Sequence, residues 1–235
     1  MARAGLTVAG IPIRFTASWL LVVAYMIWTL STGYFPSAYP EWPRTLHWAL
    51  GVAAAFLLFA CIVLHELGHS LVAKRHRIPV TQVTLFFFGG VSQLAGVPRR
   101  PVEELRIAVA GPAVSVALGF LCLTAASHLA LPRFSLGLLE YLGLINIGLA
   151  CFNMLPAFPL DGGRALRAVL WAVLRNHRQA TRWAGALGSV FGLGLMAFGV
   201  WLIIRDRALS AGLWQVLLGA FLRNAARRES EGEAR

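Results

Sequence analysis

The sequence has 235 residues, of which 58% are hydrophobic and only 13% are charged, and its formal net charge is +11. Such an excess of apolar residues predicts an integral membrane protein. In a membrane protein, positive charge mainly orients the apolar segments, so we expect no nucleic-acid partner.

Apolar stretches of about the length needed to cross a bilayer recur along the chain. Six candidate transmembrane helices lie at residues 16–33, 46–74, 103–130, 136–155, 181–204 and 208–222. They leave no room for a sizeable soluble domain, so we predict one polytopic, α-helical membrane domain over residues 1–222. Residues 223–235 form a charged tail, for which we expect disorder or a fraying helix end.

The basic residues predict the orientation of these helices in a cell membrane. With six spans, both termini lie on one side, together with the segments 74–106 and 164–182. That side carries 17 of the 21 Lys and Arg residues. Because cytosolic loops are enriched in Lys and Arg, the termini and both segments are predicted to be cytosolic.

Two parts of the sequence have the composition of β-strands. Residues 8–14 alternate loosely and contain Pro12, which suits an edge strand at the membrane surface. Residues 80–94 are β-branched and aromatic around Gly89 and Gly90, which predicts a hairpin with a tight turn at the two glycines. We expect this hairpin to re-enter the bilayer beside protein; a surface hairpin that only anchors the chain is the alternative.

The second apolar segment contains His65, Glu66 and His69 in the order HELGH. HExxH places two histidines on one face of a helix, close enough to bind one zinc ion, with a glutamate beside them as general base. Ionisable groups inside a membrane are costly, roughly 2.5 to 3.5 kcal/mol each on insertion scales, and by default they mark a functional site. The motif therefore predicts a catalytic zinc centre, with one Zn²⁺ per chain.

Catalytic zinc usually has three protein ligands and one open position, so a third ligand is needed. The sequence has two aspartates, and Asp206 lies between two arginines in a predicted external loop. Asp161 follows the fourth span, in a segment whose prolines and glycines break the helix. Irregular backbone at membrane depth is tolerated where it lines a cavity, which makes Asp161 the better candidate.

Three regions together resemble the site-2 protease family of intramembrane zinc metalloproteases. They are the HELGH motif, the Ala-Gly-Pro sequence that opens the third span at residues 110–112, and residues 153–163. Residues 10–13 and 88–91 also look like the N-terminal strand and the re-entrant hairpin of that family. The resemblance covers nearly the whole chain. Similar proteins often carry a PDZ domain or a pair of CBS domains, and we expect neither in these 235 residues.

The resemblance implies a role for each candidate residue. His65, His69 and Asp161 would be the zinc ligands, and Glu66 the catalytic base. Asn153 would contact the substrate backbone or the developing oxyanion. The expected activity is that of an endopeptidase which cuts a transmembrane segment of a single-pass membrane protein near its cytosolic side and releases a cytosolic domain.

Two other functions would also place histidine and aspartate in a membrane. A zinc transporter would need polar sites across the bilayer, but the third and fifth spans have almost none. A non-catalytic scaffold that holds membrane partners would be expected to have lost Glu66 or a ligand, and all are present. Metal content and cleavage of a transmembrane substrate discriminate between the three functions.

Overall fold

The computed structural model describes residues 6–86 and 89–232 and is mostly helical, with one small sheet. The helices are α1 (Ala17–Thr29), α2 (Phe35–Ala38), α3 (Arg44–Arg75), α4 (Pro101–His128), α5 (Arg133–Asn153), α6 (Asp161–Leu174), α7 (His177–Arg205) and α8 (Leu209–Gly232). A single π-helical turn, Leu30–Tyr34, joins α1 to α2. The strands are β1 (Leu6–Val8), β2 (Ile11–Phe15), β3 (Val80–Phe86) and β4 (Gly89–Leu94).

Five stretches of helix in the described residues are long and apolar enough to cross a membrane. They are Ala17–Ala38, Arg44–Arg75, Pro101–His128, Arg133–Asn153 and His177–Arg205. The predicted sixth span lies in α8, which is not among them. Its apolar part, residues 209–222, extends roughly 21 Å at about 1.5 Å per residue, whereas the hydrocarbon core is about 30 Å thick. The sixth crossing therefore stays a prediction.

The helix α8 continues from this apolar part into the charged tail, as far as Gly232. Of the two expectations for residues 223–232, the helical one agrees with the structure and disorder does not. Residues 233–235 lie outside the described residues.

The chain divides into two compact units. The first comprises Met1–Val97 and Ala110–Ala150, and it contains the whole sheet, in the order β1-β2-β3-β4. Strand β2 pairs with β1 in antiparallel and with β3 in parallel orientation, and β3 pairs with β4 as the predicted hairpin.

Two details of the sheet differ from the sequence prediction. The segment 8–14 was predicted as an edge strand, but β2 is an inner strand and β1 forms that edge, because the chain reverses at Ala9 and Gly10, both with positive φ. The predicted tight turn at Gly89 and Gly90 is also not found there. Gly89 pairs with Phe86 and Gly90 with Leu85, so both glycines belong to β4; residues 87–88 lie outside the described residues.

Small residues bring the helices of the first unit into close contact. A Cβ atom on Gly68 would lie 2.9 Å from the carbonyl oxygen of Ala110, and one on Gly119 would lie 3.1 Å from that of Gly143. Backbones in lipid can pack this closely only where no side chain intervenes. Helix α3 is thereby held against α4, and α4 against α5.

The second unit comprises Pro98–Val109 and Cys151–Arg235. Glycines again set the helix spacing, since a Cβ on Gly192 would lie 2.7 Å from the carbonyl oxygen of Gly219, between α7 and α8. Arg167 on α6 forms a buried ion pair with Glu104, and its guanidinium lies 5.0 Å from the ring centre of Phe158. Arg167 therefore links α6 both to Glu104 on α4 and to Phe158 in the segment between α5 and α6.

Candidate metal centre

His65 and His69 lie one turn apart on α3, and both are buried, with 3% and 4% of their surface exposed. Their Nε2 atoms are 3.2 Å apart. Two nitrogens that face each other at this separation can share one proton or one cation. The HExxH spacing predicts that the two imidazoles lie close together on one helix face, and the distance between their Nε2 atoms agrees with this prediction.

Space is kept open in front of the two imidazoles by Gly111 on α4. A Cβ atom at this position would overlap His69 Nε2 and would lie 2.6 Å from His65 Nε2. The two nitrogens therefore face a recess that exists because residue 111 is a glycine and has no side chain. Paired imidazole nitrogens in a buried recess suit Zn²⁺, which prefers nitrogen and sulfur ligands, so these residues fit the metal.

Ser115 lies one turn after Gly111 on the same helix and supports His65. Its Oγ is 2.8 Å from Nδ1 of His65, and the serine is fully buried. A histidine that uses Nε2 to bind a metal carries its proton on Nδ1, and a fixed acceptor there sets the tautomer and the orientation of the ring. The structure thus provides the outer partner that a metal-binding histidine needs.

Glu66 is half-buried, and it contacts the second strand of the hairpin. The hydroxyl of Ser92 donates a hydrogen bond to Glu66 Oε2, at 2.7 Å, and also lies 3.1 Å from the carbonyl oxygen of Glu66. Ser70, fully buried on α3, donates to Ser92 Oγ at 3.1 Å. The carboxylate is therefore held at one oxygen by a short chain of hydroxyl groups.

Asn153 and Asp161, the other predicted site residues, belong to the second unit. Asn153 is the last residue of α5, and Asp161 is the first residue of α6; both are half-buried. Gly162 and Gly163 allow the intervening segment to fold back on itself, because a Cβ on Gly163 would lie 2.5 Å from the backbone of Phe158. The segment 164–182, which the basic residues predict to be cytosolic, is largely helical, because it lies in α6 and the first turns of α7.

Sequence reasoning missed the hydroxyl groups of the site. In the sequence, Gly111, Ser115 and Gly119 follow one another at four-residue spacing in the third span, and such a row of small residues predicts only close helix packing. The stronger signal was that this row belongs to the span opened by Ala-Gly-Pro. For Ser92, the signal was a serine in an apolar hairpin directly after the helix that carries the motif.

Comparisons with known proteins identify the family of this chain. The family model named peptidase family M50 matches residues 53–132 and 130–195. A Synechocystis protein provisionally named as a zinc metalloprotease is 38% identical over 91% of this chain and 55% of its own length. The provisionally named zinc metalloprotease Rip3 of Mycobacterium tuberculosis is 37% identical over 94% of this chain and 57% of its own.

A solved structure, that of a site-2 protease from Methanocaldococcus jannaschii, is also similar. It is 30% identical, aligns with a TM-score of 0.63, and the match covers 96% of this chain and 93% of that one. The chain spans about half the length of the curated relatives it matches.

Proposed function

This chain belongs to peptidase family M50, and we propose that it is a zinc-dependent intramembrane endopeptidase. The resemblance to site-2 proteases expected from the sequence is confirmed by the family match and by the similar structure. The observation that carries the proposal is the buried pair of Nε2 atoms of His65 and His69, with the Glu66 carboxylate next along the same helix. Five helices of the described residues are long and apolar enough to cross a membrane, which supports activity within the bilayer.

The proposed metal ligands are His65, His69 and Asp161, which bind one Zn²⁺ per chain. Two imidazoles and one carboxylate are a common ligand set for catalytic zinc, and they leave one position open. When bound, the metal activates a water molecule near neutral pH and polarises the scissile carbonyl group. The position of Asp161 in the first turn of α6 supports its role, because the helix begins at this residue and limits its backbone freedom.

Glu66 is the proposed general base. It accepts a proton from the attacking water and then donates it to the amine that leaves. Ser92 holds Oε2, so Oε1 is the oxygen that takes up the proton. Asn153, at the end of α5, is proposed to donate from its amide to the substrate backbone or to the developing oxyanion.

The proposed substrate is a transmembrane segment of a single-pass membrane protein. Its carbonyl groups are bonded within the substrate helix, so the helix must unwind before attack, and the freed groups need new partners. Strand β4 is an edge of the sheet, paired only with β3 among the described strands, and can pair with an extended segment. We propose that cleavage near the cytosolic side releases a cytosolic domain, and that the termini of the protease are cytosolic.

The function is tested with purified protein in detergent and in liposomes. Zinc content is measured first, and a model substrate with one transmembrane helix is then added. We expect the wild type to cleave it, and Glu66→Gln to keep its zinc yet lose cleavage, because the amide preserves shape but does not accept the proton. Glu41→Gln, an exposed glutamate outside the helices, is the matched control.

The outcomes of this test discriminate between the candidate functions. Zinc that is bound and moved across liposomes without cleavage would identify a transporter. Zinc-bound protein that neither cleaves nor transports would indicate a scaffold.

A further inference from the structure

The hairpin strand β4 approaches Glu66 more closely than a strand with side chains on that face would allow. A Cβ atom on Gly90 would lie 2.7 Å from Glu66 Cγ and 3.2 Å from Oε1. Two residues further along the same face, Ser92 bonds to Oε2. Gly90 and Ser92 therefore lie on the same face of β4. The glycine leaves room for the Glu66 carboxylate, and the serine hydroxyl binds it.

The pattern of hydroxyl groups fixes the direction of this hydrogen bond. Ser92 has one proton to donate and two nearby acceptors, Oε2 at 2.7 Å and the Glu66 carbonyl oxygen at 3.1 Å. The shorter contact goes to the carboxylate, and bonds to an ionised acceptor are the stronger ones. Since Ser70 donates to Ser92 Oγ, the serine has an incoming donor as well, and its own proton is directed to Glu66.

We propose that Ser92 is a positioning residue for the reaction: it holds one oxygen of Glu66 so that the other faces the attacking water. The inference rests on the proposed function. It adds that the hairpin is part of the catalytic apparatus as well as an edge for substrate. The glutamate side chain has three rotatable bonds, and the α3 backbone by itself leaves them unfixed. Misplacement of a reacting group by about 1 Å can cost about 100-fold in rate.

The test compares Ser92→Ala with Ser92→Thr. We expect Ser92→Ala to lower kcat by about tenfold or more while zinc content and KM stay near the wild-type values. Ser92→Thr keeps the hydroxyl and suits a strand, so it should restore most of kcat. Thr81→Val is the matched control, because it removes an exposed hydroxyl on the inner strand of the same hairpin, which bonds to Gln93 O at 3.0 Å.

A second readout does not depend on catalysis. In zinc-free protein, the thermal midpoints of wild type, Ser92→Ala, Glu66→Ala and the double variant form a cycle. We expect the two losses to be less than additive, since each variant breaks the same hydrogen bond.

Two results separate this inference from the proposed function. If the wild type cleaves and Ser92→Ala has a wild-type kcat, Ser92 does not position Glu66. If the wild type does not cleave, the proposed function fails, and additive thermal losses would then overturn the Ser92–Glu66 contact as well.

Discussion

Ser115 Oγ lies 2.8 Å from His65 Nδ1, and both residues are buried in the apolar interior of the first unit. In such surroundings a hydrogen bond that fixes a histidine tautomer has no water to compete with it. The orientation of His65 therefore depends on a hydroxyl group of a different helix, and its affinity for a metal should depend on the same group.

Replacing Ser115 by alanine is expected to weaken zinc binding by about 10- to 100-fold, the range usual for outer partners of metal-bound histidines. The measurement is competition with a chelator of known affinity. Ser127→Ala is the control, since its exposed hydroxyl bonds only to the Thr124 carbonyl oxygen near the end of the same helix. Equal zinc affinity in the two variants would show that Ser115 serves packing alone.

Gly111→Ala is expected to abolish zinc binding without unfolding the protein. The added methyl group fills the recess in front of the His65 and His69 nitrogens, while alanine favours the helix by about 1 kcal/mol relative to glycine. Gly148→Ala is the matched control, because its Cβ would meet no atom within 4 Å. Zinc content and thermal midpoint are measured together. A Gly111→Ala protein with full zinc content would show that the metal binds elsewhere.

Asp161→Ala is expected to lose most of its zinc, because two imidazoles alone seldom hold a catalytic metal. Asp206→Ala serves as control, since Asp206 is the other aspartate of the sequence and is exposed. Zinc is measured by metal analysis after dialysis. Full zinc content in Asp161→Ala would remove this residue from the ligand set.

The helices and the metal motif were predictable because each is encoded locally. Apolar length marks a span, and HExxH marks a pair of ligands by its spacing alone. The helix α6 was not anticipated, since its sequence reads as a basic loop after a helix-breaking segment. The roles of Ser92 and Ser115 were not predictable either, because each depends on a contact with a residue distant in sequence. Ser92 is 26 residues from Glu66, and Ser115 is 50 residues from His65.

In the second unit, Arg167→Met is expected to destabilise the protein by about 3–5 kcal/mol, because it leaves Glu104 buried without its partner. Glu104 is fully buried, and its second oxygen is 4.0 Å from His177 Nε2, so little else compensates its charge. Unfolding in denaturant in mixed micelles measures the loss. Glu229→Gln removes only the half-exposed partner of Arg167 and should cost less than about 1 kcal/mol. Adding Glu104→Gln to Arg167→Met should recover part of the loss.

The register of the sheet identifies which backbone groups of β4 face outward. The Leu85 carbonyl oxygen accepts a hydrogen bond from Thr16 N at 3.0 Å, so Leu85 directs its backbone groups towards the β2 side. Its neighbour Thr84 therefore faces β4 and bonds with its partner Val91. Since successive residues alternate, Gly90 and Ser92 direct their N–H groups to the outer edge.

Ser92→Pro is therefore expected to impair substrate binding beyond the effect of Ser92→Ala. Both variants remove the hydroxyl, but only proline also removes the outward N–H, and edge strands tolerate proline where the N–H faces away from the sheet. We expect a similar kcat for the two variants and a KM several-fold higher for proline, measured with a transmembrane substrate. Val91→Pro, by contrast, interrupts the bonds to β3 and should destabilise the hairpin itself. If Ser92→Pro keeps its zinc and matches Ser92→Ala in both kinetic constants, substrate does not pair with this edge, and the hairpin acts on catalysis through Glu66 alone.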